Sequence, residues 1–180
     1  MYSNLPDCEG LLQHHDFGQY HHNQFFTMKD SEILRLNESA LRLNNSHFDW
    51  QTALENAESD AAVGIRHAAL SGDAACRIHV AAIPHHVGCH FHKIGDETYE
   101  IVQGMGTLHF GEVTSTNGVH SVNWEPPFNV STGDRFVIPE GYAHQLQKRG
   151  SEALSILFAC PDSHLDDEGD RHHLADSPNL

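Results

Sequence analysis

The strongest constraint on the fold is a run of short strand-like stretches between residues 62 and 160. Each stretch is apolar or alternates apolar with polar residues, and Gly, Pro, Asn, Asp or Ser residues separate it from the next. Strands this short and closely spaced favour a sandwich or barrel over an alternating α/β sheet. We therefore predict an all-β dominated fold. The predicted strands are 63–70, 76–83, 88–93, 98–103, 106–113, 119–124, 135–138, 144–148 and 153–159.

The flanking regions have a different pattern. Apolar residues recur at helix-like intervals in residues 31–58, with a break near Asn44-Asn45-Ser46, which predicts one or two short helices; Ser46 or Asp49 would cap the second. After Pro161 the chain is acidic and polar. We divide the chain into an N-terminal arm with helices packing on the barrel (1–61), the β-barrel (62–160) and an acidic, histidine-containing C-terminal tail or lid (161–180).

Charge limits the choice of partners. The chain has 10 Lys and Arg residues against 25 Asp and Glu residues, a net charge of −15, so nucleic acid and anionic lipid surfaces would be repelled. No apolar run approaches the roughly 18 residues of a membrane span, and the first residues lack the basic start of a secretory signal. We expect a cytoplasmic protein with a small-molecule ligand. The four cysteines form no C-x-x-C pair and are expected to be reduced packing residues.

Histidine is the unusual component, with 17 residues in the chain. His90 and His92 lie two residues apart in a predicted strand, so both side chains point to the same face. A turn at Gly95-Asp96 reverses the chain and brings Glu97 beside them. Two imidazoles and a carboxylate form three corners of a metal site, and these donors suit Fe, Mn, Co, Ni or Zn.

A second cluster could complete that site. Gly133, Pro139 and Gly141 frame a tight turn between two predicted strands, and His144 opens the second strand. A fourth ligand from across the barrel would leave one or two coordination positions for water or substrate.

These two clusters resemble the paired motifs of the cupin superfamily. The first motif is His90-x-His92-x4-Glu97-x6-Gly104 and the second is Gly133-x5-Pro139-x-Gly141-x2-His144. Pro84 replaces the first expected glycine and Lys148 replaces the terminal asparagine; neither is a ligand position. The resemblance covers residues 62–160, and the long stretch from Glu112 to Val130 implies an inserted hairpin or loop.

The resemblance implies a double-stranded β-helix (jelly-roll) barrel, a homodimer and one divalent metal ion per chain, held by His90, His92, Glu97 and His144. Three functions follow as alternatives. The first is a metal-dependent isomerase, epimerase or lyase acting on a small polar metabolite, the second an iron-dependent dioxygenase, and the third a non-enzymatic binding module. Tyr99 shares the inward parity of Glu97 and is a candidate catalytic hydroxyl or, equally, a core aromatic. His85 and His86 are weaker candidates for supporting roles at the site.

Overall fold

The computed structural model describes residues 48–180. The predicted arm, the first helix and the histidine pairs at 14–15 and 21–22 lie outside the described residues. The second predicted helix is present as α1 (Trp50–Glu55), and the Asp49 side chain caps it by accepting a hydrogen bond from the backbone N–H of Thr52 at 3.1 Å.

Two antiparallel sheets make up the described barrel, in agreement with the predicted all-β fold. The first contains, in spatial order, β1 (Glu58–Asp60), β2 (Ile65–Asp73), β3 (Cys76–Ile83), β11 (Leu154–Cys160), β5 (Glu97–Gln103) and β9 (Arg135–Ile138). The second contains β12 (His172–His173), β4 (His90–Phe91), β10 (Tyr142–Arg149), β6 (Met105–Thr116) and β7 (Val119–Trp124), with β8 (Phe128–Ser131) also paired to β6.

The predicted strand bounds differ from the observed ones at several ends. Three strands, β3, β7 and β9, have the bounds that the sequence predicts, and the other six predicted strands are shifted or have a different length. The sequence missed β1, β8 and β12. Two of these have three residues or fewer, too short for a detectable alternation, and β8 directly follows Pro126-Pro127, which looks like a turn.

The main core lies between the sheets. It is formed by inward side chains such as Ile83 of β3, Ile101 of β5, Leu108 of β6 and Phe158 of β11. A second cluster lies on the outer face of the first sheet, where Val80 and Leu157 pack against Trp50 and other residues of α1. Strands β3 and β11 are therefore apolar on both faces, which explains their near-continuous apolar sequences.

The stretch from Glu112 to Val130, predicted to be an inserted hairpin or loop, contains a hairpin. Strands β6 and β7 pair from Gly111 to Thr116, and the hairpin reverses at Asn117-Gly118, both with positive φ (52° and 79°). The chain then returns as β8 and pairs with the other half of β6.

The last 20 residues pack on the barrel. A short 3-10 helix (Asp162–Leu165) follows β11, and β12 adds to the edge of the second sheet beside β4. His164, Asp170 and Arg171 are buried. Residues 161–174 are called the C-terminal segment below.

Two further expectations concern membranes and cysteines. Within residues 48–180, no helix has the length and apolar character needed to cross a membrane. Cys89 and Cys160 are free and buried, as expected of packing residues, but Cys76 is disulfide-bonded, so the expectation of a reduced thiol is wrong there. The spacing of cysteines along one sequence does not show which of them are paired.

Candidate metal centre

The four predicted ligands come together inside the barrel. His90 lies in β4 and His92 directly follows it, Glu97 opens β5, and His144 in β10 is the direct cross-strand partner of His90. One potential ligand atom from each side chain lies within 4.8 Å of the corresponding atoms of the others. All four residues are at most 5% exposed.

Hydrogen bonds fix the tautomer of each histidine in this cluster. The Nδ1 atoms of His90, His92 and His144 each lie within 3.2 Å of a backbone carbonyl oxygen. A carbonyl oxygen only accepts, so each Nδ1 carries the proton and each Nε2 presents a lone pair. The carbonyls belong to Gly88, Asp170 and Tyr142, respectively.

The Nε2 atoms need a partner that the protein does not provide. Those of His92 and His144 are buried and make no hydrogen bond, and the Nε2 of His144 lies 3.1 Å from Oε2 of Glu97. A lone pair facing a carboxylate oxygen is repulsive unless a cation or a proton lies between them. The donor set therefore fits a divalent metal ion.

Electrostatics favour the same protonation states. Burial lowers the pKa of His92 to about 4 and that of His90 well below its usual range. Burial alone would raise the pKa of Glu97, but its interactions with His92, His144 and His164 outweigh that effect and lower it. Neutral imidazoles and an ionised carboxylate are the forms that bind metal.

His164, which the sequence did not indicate, also contacts the cluster. Its ring stacks on His92 with a centroid separation of 3.8 Å and an interplanar angle of 2°. Its Nε2 lies 2.7 Å from the Ile94 carbonyl oxygen, and its Nδ1 lies 3.5 Å from Oε1 of Glu97. Burial opposes a charge on His164, but the neighbouring Glu97 carboxylate raises its pKa overall. No motif spacing marks this residue; a histidine after the last barrel strand was the only available signal.

The C-terminal segment also holds the turn between two of the clustered residues. Asp170 Oδ2 accepts hydrogen bonds from the backbone N–H groups of Lys93 and Ile94, at 2.9 and 2.7 Å. The carbonyl oxygen of the same aspartate accepts from Nδ1 of His92. One residue of the segment thus orients both His92 and the turn that leads to Glu97.

The other sequence candidates occupy different places. The Tyr99 hydroxyl donates to Oε2 of Glu97 at 3.1 Å, and burial raises the pKa of Tyr99 well above its usual range, so the phenol keeps its proton. Burial likewise keeps Cys160, which lies near Glu97, as a thiol by raising its pKa. His85 is exposed, and the backbone of His86 forms an isolated antiparallel β-bridge with that of Gln147.

A cavity opens from this cluster into the barrel. It encloses about 390 Å³, including the space at its mouth. Of the four clustered side chains, His90 and Glu97 line it. A metal ion held by the cluster would therefore be open to a small molecule in the cavity.

Both sequence motifs contribute residues to this cluster, and the backbone conformation explains the glycines in them. Gly133 and Gly141 have positive φ (94° and 77°). Gly104 also has a positive φ, and a Cβ there would lie 2.2 Å from the carbonyl oxygen of Ala153. The motif residues therefore form the turns of a barrel of two antiparallel sheets and the buried His/Glu cluster inside it. The chain has a cupin fold.

Comparisons with solved structures find cupin-fold proteins. Oxalate decarboxylase of Bacillus subtilis, which has Mn(II) centres, is 18% identical with a TM-score of 0.47, over 67% of this chain and 31% of its own. KdgF from Halomonas sp. is 17% identical with a TM-score of 0.45, over 68% and 93%. The 11S globulin of Wrightia tinctoria, which has an auxin binding site, is 16% identical with a TM-score of 0.49, over 68% and 30%.

These likenesses concern the fold alone. This chain spans about a third of the length of the oxalate decarboxylases. No protein-family model matches the sequence. No curated protein matches it.

Proposed function

We propose that this chain is a mononuclear metal-binding cupin that acts as a metal-dependent enzyme on a small molecule. The observation that carries the proposal is the pair of buried, unpartnered Nε2 atoms of His92 and His144 beside the Glu97 carboxylate. His90, His92, Glu97 and His144 are the proposed ligands. Three imidazoles and a carboxylate suit Fe, Mn, Co, Ni or Zn.

The cavity favours a catalytic site over a closed structural one. A structural metal site has all its positions filled by protein, whereas a catalytic site keeps a position open. His90 and Glu97 line the cavity, so the open side of the cluster faces a space that can hold a ligand. A bound divalent ion would supply Lewis-acid polarisation of a ligand carbonyl or carboxylate oxygen.

The chain's own groups have distinct roles in this proposal. Tyr99 fixes one oxygen of Glu97 and, because it lines the cavity and keeps its proton, is the proposed proton donor. His164 lies against the other oxygen of Glu97. The C-terminal segment excludes water by burying the cluster. An isomerase, epimerase or lyase, which needs polarisation and proton transfer, suits these groups.

A binding module is the second candidate, and one observation favours it. The phenol of Tyr99 is already committed to Glu97, and the high pKa of its proton makes it a weak acid. In that case the metal ion would hold a ligand without transforming it.

Metal analysis tests the proposal. We expect untagged protein purified without chelators to carry about one metal ion per chain by inductively coupled plasma mass spectrometry, and His144→Ala to carry almost none. His85→Ala is the matched control, because His85 is exposed and belongs to none of the possible metal-binding groups among the described residues, and it should keep full occupancy. Wild-type protein that stays empty after reconstitution, or His144→Ala that keeps its metal, would contradict the proposal.

The identity of the metal then separates the alternatives. Iron with ligand-dependent oxygen uptake would favour the dioxygenase, and activity with zinc or manganese under nitrogen would favour the isomerase or lyase. The homodimer implied by the family resemblance and the cytoplasmic location stay predictions; light scattering tests the first.

A further inference from the structure

The cavity beside the proposed metal centre is mainly apolar. Eight of its lining residues are aliphatic or aromatic hydrocarbons, and they come from β2, β3, β11, the loops around β2 and β4, and the C-terminal segment. They are Val63, Ile65, Ala81, Ile83, Val87, Ile156, Phe158 and Leu165. A ligand filling this space would contact hydrocarbon over most of its surface.

The polar lining residues outside the ligand set are already engaged. The Tyr99 hydroxyl donates to Glu97, and Nε2 of His164 lies against the Ile94 carbonyl oxygen. Arg171 pairs through Nη1 with Asp60 and through Nε with Asp167, both at 2.5 Å, so two carboxylates already compensate its charge.

A sugar would therefore bind poorly in this cavity. Each of its hydroxyl groups would lose water and find the lining's main polar groups taken, which weakens binding. His90 and Glu97 are the exception, because the proposed metal ion between them offers a position for an oxygen donor. Polar recognition is thus concentrated at the metal end of the cavity.

We infer that the ligand is a small carboxylic or 2-oxo acid with an unbranched or branched hydrocarbon body, rather than a sugar or polyol. Its oxygen atoms would reach the metal and its body would fill the apolar lining. The volume of about 390 Å³ includes the open space at the mouth of the cavity, so the enclosed part has room for a body of only a few carbons. This inference rests on the proposed function and replaces the small polar metabolite of the sequence-based prediction.

A homologous series of 2-oxo acids tests the apolar body. Isothermal titration of metal-loaded protein would use pyruvate, 2-oxobutanoate, 2-oxopentanoate and 4-methyl-2-oxopentanoate. We expect the affinity to rise about threefold to fourfold for each added carbon, the effect of burying one methylene. An affinity that is flat or falls along the series would overturn the inference.

A matched pair of five-carbon 2-hydroxy acids tests the discrimination against hydroxyl groups. 2-Hydroxypentanoate and arabinonate share the metal-binding head and differ by three hydroxyl groups. We expect 2-hydroxypentanoate to bind at least tenfold more tightly, and equal or tighter binding of arabinonate would overturn the inference.

Variants of the lining residues test whether the 2-oxo acids bind in this cavity. Ala81 lines the cavity and Ala82 is its neighbour on the opposite face of β3. Ala81→Leu should weaken 4-methyl-2-oxopentanoate at least tenfold and pyruvate less than twofold, whereas Ala82→Leu should change neither. If Ala81→Leu does not fold, Leu165→Ser at a partly exposed lining position replaces it as the test variant. Its affinity for 4-methyl-2-oxopentanoate should fall threefold to tenfold. Unchanged affinity in the folded variants would overturn the inference.

The metal-free protein separates this inference from the proposed function. In His144→Ala all four 2-oxo acids should bind more weakly, but the gain per carbon should persist because the apolar lining is intact. A persistent gain in a protein that never binds metal would contradict the proposed function and support the apolar cavity. A protein that binds metal but shows no gain in affinity per added carbon would support the proposed function and contradict the apolar cavity.

Discussion

The cluster is built by two regions that the chain encodes in different ways. The barrel supplies the four proposed ligands from β4, β5, β10 and the turn after β4. The C-terminal segment supplies side chains that surround them: His164 stacks on His92, and Asp170 holds the backbone at Lys93 and Ile94. The barrel provides the proposed donor atoms, and the C-terminal segment orients His92 and the turn that leads to Glu97.

The two regions also differ in charge. Burial lowers the pKa of the barrel residues His79 and His92 to about 4, whereas Glu97 raises the pKa of His164 in spite of burial. His92 and His164 have opposite shifts although their rings are stacked in parallel. Both rings lie beside Glu97, so the difference is one of balance: burial dominates at His92, whereas the interaction with Glu97 outweighs burial at His164.

Metal binding should show the largest difference between the regions. We expect His92→Ala to lose stoichiometric metal, because it removes a donor atom. Asp170→Ala should still bind one metal ion per chain but about 10–100-fold more weakly, since the backbone N–H groups that it orients lose their acceptor. Occupancy by mass spectrometry and affinity by competition with a chromogenic chelator would measure the two effects.

Asp170→Asn is the matched control for that experiment, because its amide oxygen can take the place of Oδ2, which accepts both hydrogen bonds, but carries no full negative charge. Its affinity should fall between those of wild type and Asp170→Ala. If Asp170→Ala binds metal as tightly as wild type, the C-terminal segment does not orient the ligands.

Acid should destabilise the metal-free protein through the neutral barrel histidines. Burial, with a smaller contribution from His67, lowers the pKa of His79 to about 4 from an ordinary value of 6.5. Between these values the unfolded chain binds a proton that the folded chain does not. The contribution of each such histidine to the free energy of unfolding is therefore fully present above pH 6.5. It is lost as the pH falls towards 4, by up to about 1.4 kcal/mol per pH unit.

Replacing His79 isolates its contribution to this loss of stability in acid. His79 stacks on Phe158 with a centroid separation of 4.9 Å, so His79→Phe keeps an aromatic contact and removes the titrating group. Urea denaturation of chelator-treated protein should give a shallower loss of stability between pH 6.5 and 4 in the variant. The same slope in both proteins would show that His79 is not held neutral.

The sequence predicted the donor region and missed the region around it for physical reasons. The spacing of His90, His92 and Glu97 is local to one strand and one turn, so alternation and turn residues indicate it directly. The contact between His92 and Asp170 joins residues 78 positions apart, and no periodicity encodes it. Strand β12 has only two residues and exists because it pairs with β4. The charge pattern of the C-terminal segment does not show that His164, Asp170 and Arg171 are buried.

Two ion pairs, one buried and one exposed, attach the C-terminal segment to the rest of the barrel. Breaking them should give the smallest change in stability or binding among these predictions. The Arg171 side chain is 6% exposed where it meets Asp60 of β1, whereas Arg77 and Asp162 are 29% and 38% exposed. Arg171→Met leaves a mostly buried Asp60 carboxylate without its cation, so we expect a loss of about 1–3 kcal/mol in the free energy of unfolding. Arg77→Met should leave the urea midpoint almost unchanged, because water and salt screen an exposed pair.

Hydrogen exchange shows whether such a loss is local to the segment. Asp170 protects the amides of Lys93 and Ile94, so Arg171→Met should speed their exchange in folded protein, while amides in the centre of β11 should follow global stability alone. Equal changes at both places would mean that Arg171 stabilises the barrel as a whole. Faster exchange only at Lys93 and Ile94 would mean that the ion pair holds the segment over the cluster, in which case the same variant should also bind metal more weakly.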